Sequence, residues 1–280
     1  MVISTEIRRN LGTMIAYGFP RLDLDVDLAI AATIEAEVVE VLPCWRDLPD
    51  PRRLRDRLGE AGLTLHSAHG CWGGQAIRAR RVDLGSTDQA TWIESISDLE
   101  TCVEWLQAAG GSCLVVHPGG LADPEDFADR RSQLMRGLVV LADHARGRGV
   151  TLCVENMPPG VYPGSRMADL FAIVEEVDRP EVDLALDTGH AHLTGSAPAE
   201  TLAAGPRLRT THVHDNDGRQ DLHLPPGLGR LDWGGWVASL DAIDYRGPIV
   251  LECIRHLRDK SECLTEEFLS RLRRMVGLER

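Results

Sequence analysis

Residues 150–190 read VTLCVENMPPGVYPGSRMADLFAIVEEVDRPEVDLALDTGH. Two short apolar runs, VTLCVENM and VDLALDTGH, flank an amphipathic segment, SRMADLFAIVEEV. Near-continuous apolar runs of this length suit strands covered on both faces, and a strand, a helix and a second strand in that order make a parallel pair. Both runs end on polar residues that can hold a proton or a metal: Glu155 in the first, Asp187 and His190 in the second.

The same unit recurs in both directions. Upstream, GTMIAYGF is followed by DVDLAIAATIEAE, and VVEVLP by PRRLRDRLGEAG, which Pro51 opens and Gly62 closes. LTLHSAHG precedes a long helical region, about 86–109, and SCLVVHPGG precedes a helix over about 124–148. Downstream of the sixth strand come APAETLAAG, then LRTTHVHDN with a polar loop and WGGWVASLDAI, then GPIVLECI with LTEEFLSRLRRMVGL. Eight strand–helix units with no linker or low-complexity break predict a single (β/α)₈ TIM barrel, one domain over residues 1–280. An open doubly wound sheet would have fewer strands and a glycine-rich loop after the first, and YGFPRLDLD is not such a loop.

In this fold the active site lies on residues at the C-terminal ends of the strands. Metal-capable residues collect there: His66 and His69 in the third unit, His117 in the fourth, Glu155 in the fifth, Asp187 and His190 in the sixth. His212 and His214 end the seventh strand, Asp221 and His223 lie in the loop that follows, and Glu252 ends the eighth. Carboxylates gathered in a barrel mouth are costly unless they are paired or coordinate a cation. Mixed imidazole and carboxylate ligands suit Mn²⁺, Zn²⁺, Co²⁺ or Fe²⁺.

Composition narrows the chemistry. A net charge of −13 argues against non-specific attraction to nucleic acid. No apolar run is long enough to span a membrane, and the start MVISTEIRRNLGTM lacks a secretory pattern, so the expected location is the cytoplasm. Seven scattered cysteines without a CxxC pair suit reduced thiols. Lys260, the only lysine, lies past the last strand, which argues against a Schiff base. No exposed helix stripe decides whether the chain forms a homo-oligomer.

SAHGCWG, LVVHPGG, CVENMP, LDTGH, THVHDNDG, DLHLPPGLG with LDW, and IVLEC follow one another along nearly the whole chain. Together they resemble the xylose isomerase-like barrel superfamily, the sugar phosphate isomerases/epimerases. The resemblance implies a carbohydrate-like small-molecule substrate and a divalent metal held, as in ketose epimerases, by Glu155, Asp187, His214 and Glu252. Alternation puts His212 and His214 on one face of the seventh strand, and the spacing does not choose between them. The epimerase pattern further implies that His190 and Arg219 hold substrate and that Glu155 and Glu252 act as acid and base through an enediolate. His69, Trp72 and Trp45 lie near strand ends where they could line a sugar site or pack in the core.

Asp221 and His223 depart from the epimerase pattern and resemble endonuclease IV of the same superfamily. That likeness implies up to three zinc ions: one on His69, His117 and Glu155, one on Glu155, Asp187, His212 and Glu252, and one on His190, Asp221 and His223. The expected activity is a metal-dependent isomerase or epimerase with one ion. The alternatives are a multinuclear zinc phosphoester hydrolase, a dehydratase or lyase acting on a keto-sugar, and a non-catalytic metal-binding barrel.

Overall fold

The computed structural model describes residues 8–72 and 82–279. Strands β1 (Leu11–Tyr17), β2 (Val38–Pro43), β3 (Thr64–His69), β4 (Cys113–Val116), β5 (Thr151–Glu155), β6 (Val182–Asp187), β7 (Leu208–Val213) and β8 (Ile249–Leu251) each pair in parallel with the next. β8 pairs with β1 through Leu11 and Ile249, which closes the barrel. The helices between them are α1 (Leu24–Thr33), α2 (Pro51–Glu60), α3 (Gln89–Ala109), α4 (Phe127–Ala145), α5 (Met167–Val177), α6 (Thr188–Thr194), α7 (Ala197–Ala204) and α8 (Trp233–Ala242), with α9 (Ile254–Asp259) and α10 (Glu266–Met275) after β8. A two-residue antiparallel bridge, Gly120–Leu121 with Val161–Tyr162, ties the loops after β4 and β5 together. No helix among the described residues is long and apolar enough to cross a membrane.

The strand pattern explains the layers. Outward residues such as Ile15, Val39, Val41, Leu114, Leu152, Leu184 and Leu186 join Leu54, Leu58, Leu99, Leu106, Leu134 and Leu138 of the helices in one buried core. Each large aliphatic side chain so buried contributes roughly 1.5–3 kcal/mol. Inside the barrel a separate small cluster, Cys113, Val115, Cys153 and Ala185, fills the narrow lumen. All seven cysteines are buried free thiols.

Two irregularities set which residues face inward. Between β2 and β3 the register runs Val39 to Leu65 and then Glu40 to Ser67, so His66 is an extra residue on β3. Between β6 and β7 it runs Leu184 to Leu208 and then Ala185 to Thr210, leaving Arg209 extra on β7. Such bulges reverse the alternation beyond them. Past the second one, Asp187 stands directly beside His212.

The run expected as strand through His190 ends at Asp187, where α6 begins. Asp187 is the N-cap of that helix and accepts the His190 N–H at 2.7 Å. A capping carboxylate is the ordinary way to start a helix, and here the cap is also a site residue. Asp23, Asp50, Asp88 and Asp232 cap α1, α2, α3 and α8 in the same manner.

Candidate metal centre

Four strand ends converge at the mouth of the barrel. Glu155 closes β5, Asp187 closes β6, His212 is next to last in β7, and Glu252 follows β8. One ligand atom from each lies within 4.8 Å of those of the other three. His212 is the hub: its Nδ1 is 3.0 Å from Glu155 Oε1 and 3.2 Å from Glu252 Oε2. Its Nε2 is 2.7 Å from Glu40 Oε1.

The geometry places His212, not the favoured His214, among the clustered ligand atoms of this group. His214 lies one step beyond the end of β7, with its backbone N–H and carbonyl both bonded to the Thr188 hydroxyl. That step carries its ring away from Glu155 and Glu252, to Asp187 Oδ2 at 3.0 Å and Asp221 Oδ1 at 3.7 Å. His214, Asp221 and His223 form a second group of neighbouring ligand atoms. His223 stacks on His214 with ring centroids 4.1 Å apart. Gly189 makes room for this arrangement, since a Cβ there would lie 1.9 Å from His214 Cε1.

Asp221 Oδ2 is approached by His223 Nε2 at 3.1 Å and by His190 Nε2 at 3.3 Å. His190 Nδ1 donates to the Asn156 carbonyl at 2.9 Å. On the other side, His117 Nε2 and His69 Nε2 lie 3.2 and 3.7 Å from Glu155 Oε2. Trp72 lies tilted against His69, ring centroids 4.4 Å apart, and 5.9 Å from His117, completing an aromatic wall beside Glu155.

Three residues fall elsewhere. His66 lies within β3, well before the rim, with Nε2 3.2 Å from Thr210 Oγ1. Trp45 is buried, edge-on to Trp105, and donates to the His69 carbonyl, so it belongs to the core. Arg219 is exposed in the turn after Asp217 and, among the described residues, forms no ion pair with a site carboxylate.

The electrostatics follow from crowding buried charges. Burial opposes ionisation of Glu155, but the charges and hydrogen bonds of His212 and His117 outweigh it and hold its carboxyl well below the usual range. Burial disfavours a charged His212, yet Glu40, Glu252 and Glu155 overcome that and raise its pKa well above normal. Burial likewise opposes charge on His190 and His223. Asp187, Asp221 and Glu155 raise the first to about 10, and Glu252 and Asp221, with Asp187, raise the second to about 10. Burial and the neighbouring His117 push His69 down.

Two buried oxygens fit a cation better than they fit the protein alone. Among the described residues, Glu155 Oε2 and Glu252 Oε2 make no well-aligned hydrogen bond, although an imidazole nitrogen lies 3.2 Å from each. A buried carboxylate oxygen without a donor is costly, and a divalent ion among these ligands satisfies it. Two glutamates, an aspartate and one imidazole form a donor set of the kind that Mn²⁺, Co²⁺, Fe²⁺ and Zn²⁺ accept. The residues present fit such an ion.

The sequence reading passed over several supporting residues. Glu40 is a charged residue inside the apolar run VVEVLP, a signal in its own right. The Asn156 amide clamps the ends of β5 and β6 by bonding both the N–H and the carbonyl of Asp187. Asp215 accepts from the backbone N–H of Asn216, Gly227 and Leu231 and from the Trp233 indole, and so folds the loop that carries Asp221 and His223. Asp215 sits among several polar residues in sequence, and nothing local marks it as the hub.

The sequence profile of the xylose isomerase-like TIM barrel family matches residues 28–275. The chain belongs to that family. It is 31% identical over 209 residues to an L-ribulose 3-epimerase from Methylomonas sp. (strain DH-1), covering 71% of this chain and 67% of that protein. It is 26% identical over 242 residues to a protein named Probable endonuclease 4 from Mycobacterium marinum, covering 80% of this chain and 88% of that protein. The crystal structure of a D-tagatose 3-epimerase-like protein superposes with a TM-score of 0.78 at 20% identity, covering 96% of this chain and 98% of the other, a likeness of fold.

Proposed function

We propose that this family member is a divalent-metal-dependent epimerase or isomerase of a ketose or related polyhydroxy carbonyl compound. The observation that carries the reading is the pair of carboxylates, Glu155 and Glu252, reaching the same imidazole from β5 and β8, each with one buried oxygen that makes no well-aligned hydrogen bond among the described residues. The 3-epimerase named among its relatives supports a ketose as substrate.

Glu155, Asp187, His212 and Glu252 would hold the ion. When bound, it supplies Lewis acidity that acidifies the C–H next to a substrate carbonyl. The chain supplies the proton traffic. Glu155 stands ionised among its imidazole neighbours and is the carboxylate placed on one side to take a proton from carbon. Glu252, from the other side of His212, returns a proton to the opposite face, which inverts the carbon, and return to the neighbouring carbon gives isomerisation. His190, anchored through Nδ1 on the Asn156 carbonyl, brings Nε2 to the third side, where a substrate oxygen would share or displace its contact with Asp221. His69 and Trp72 give the C–H face of a sugar a flat wall that excludes water.

The test is exchange of the proton next to the carbonyl in D₂O, followed by proton NMR with Mn²⁺ present and L-ribulose, D-psicose and D-fructose as substrates. Deuterium at C3 with the epimer accumulating is the expected result, and a metal-loaded enzyme that exchanges none of a broad ketose panel sinks the proposal.

One observation favours a second reading. Asp221 is shared by His190 and His223, and Glu155 by His69 and His117, so ligands for further ions surround the first site. A phosphoester hydrolase would retain close to three zinc ions per chain and cleave a simple phosphodiester such as bis-p-nitrophenyl phosphate. About one ion per chain and no cleavage decides for the epimerase.

A further inference from the structure

We propose that Glu40 is a positioning residue that holds His212 in its Nε2–H tautomer and so presents Nδ1, and no other ring atom, to the metal. The inference rests on the metal site proposed above and extends it to a residue from the opposite side of the barrel. β2 contributes no ligand to the inner group, yet it places a fully buried carboxylate in the lumen.

The flanking Val39 and Val41 point out into the core between strands and helices, so strand alternation turns Glu40 inward. An apolar residue would fill that position more cheaply, because an ionised carboxylate out of water needs strong partners. Glu40 has two. Ser67 Oγ donates to Oε2 at 2.6 Å, and His212 Nε2 lies 2.7 Å from Oε1. Ser67 stands beside Glu40 only because the extra residue His66 shifts the β2–β3 register.

Both short contacts put a donor on each carboxylate oxygen, as an ionised acceptor requires. The Nε2 position is therefore filled by a proton aimed at Glu40. That leaves Nδ1 as the ring atom facing Glu155 Oε1 at 3.0 Å and Glu252 Oε2 at 3.2 Å, and the one from which a metal can displace a proton. Two carboxylate oxygens around Nδ1 call for a positive charge between them, a proton in the metal-free protein or a cation when the site is loaded. A carboxylate behind a ligating imidazole also makes the ring a stronger donor, and loss of such a partner typically weakens metal binding by about 10–100-fold.

Wild-type protein with ¹⁵N-labelled histidine, loaded with Zn²⁺, is the first sample. Long-range ¹H–¹⁵N correlation should show His212 protonated at Nε2 and metallated at Nδ1, a signature that a merely packing role for Glu40 does not require. Mn²⁺ titration followed by electron paramagnetic resonance should then show Glu40→Gln binding about 10–100-fold more weakly, and Ser67→Ala losing less. The metal-free melting curve of each variant reports its folding separately.

Coordination through Nε2, or unchanged Mn²⁺ affinity in a folded Glu40→Gln, overturns the proposal. If Glu40→Gln does not fold, the wild-type tautomer and Ser67→Ala still decide it. A wild-type protein that binds neither Zn²⁺ nor Mn²⁺ overturns this proposal and the metal-dependent reading together. Metal bound through Nδ1 without proton exchange in any ketose overturns the epimerase reading alone.

Discussion

The two groups of candidate ligands at the barrel mouth are built differently. Glu155, Asp187, His212 and Glu252 come from four adjacent strand ends whose backbones are fixed by the barrel's own hydrogen bonds. In the outer group only His214 comes from a strand end, while Asp221 and His223 belong to the loop before α8 and are about one-third exposed. His223 is held at φ 47°, a left-handed conformation that costs a histidine on the order of 1 kcal/mol. The Asp215 carboxylate gathers that loop with four N–H bonds. Strand-borne ligands thus carry the rigidity of the whole barrel, and the loop-borne ones depend on a few local bonds. The inner group should survive damage that destroys the outer one.

Glu155→Gln tests the inner group most severely. At saturating Mn²⁺ it should lower the rate of ketose proton exchange by roughly 10²–10⁴-fold, with the native melting curve kept. Glu252→Gln should do the same. An exchange rate within threefold of wild type in both variants would remove the acid–base assignment.

Asp215→Ala strips the acceptor from three backbone N–H groups and an indole, and should destabilise the protein by about 3 kcal/mol or more, read from denaturant unfolding. Below its unfolding transition this variant should still bind Mn²⁺ as the wild type does. A parallel loss of Mn²⁺ affinity would show that the two groups are not independent.

Gly189→Ala aims at the outer group more gently. The added methyl meets the His214 ring and should cost on the order of 1–3 kcal/mol as the imidazole is displaced from Asp187. Metals counted per chain should change only if the protein binds more than one ion.

The smallest expected effect is on pH dependence. His190 and His223 have folded pKa values raised from 6.5 to about 10. Their contribution to the metal-free fold is therefore complete below about pH 6.5 and lost as pH rises toward about 10. Asp187 and Asp221 are depressed, burial being outweighed by neighbouring histidines, so their contribution is present above about pH 4 and lost as pH falls below it. The metal-free Tm should peak between these limits. The rise in Tm on adding Mn²⁺ should instead grow from pH 5.5 to 8, because imidazole ligands must shed their protons to bind metal. A Mn²⁺-induced shift independent of pH would argue that histidine is not a ligand.

Much of this protein was written in its local sequence. Each βα unit announces itself through an apolar run followed by an amphipathic segment, because both patterns arise from neighbours along the chain. That Glu155, Asp187 and Glu252 stand at the rim was legible because a polar residue closing an apolar strand has few other places to go. The choice between His212 and His214 was not legible. Both share a face, and only the stagger of β7 against β6 and β8, which sets His212 beside Asp187 and Val250, decides that His212 stays level with the glutamates. The partner of Glu40 was hidden for the same reason: His212 lies 172 residues away and meets it only across a closed barrel. Periodicity sets which way a side chain faces along an unbroken strand, while bulges, register and closure are agreements between distant strands, and those exist only once the barrel is built.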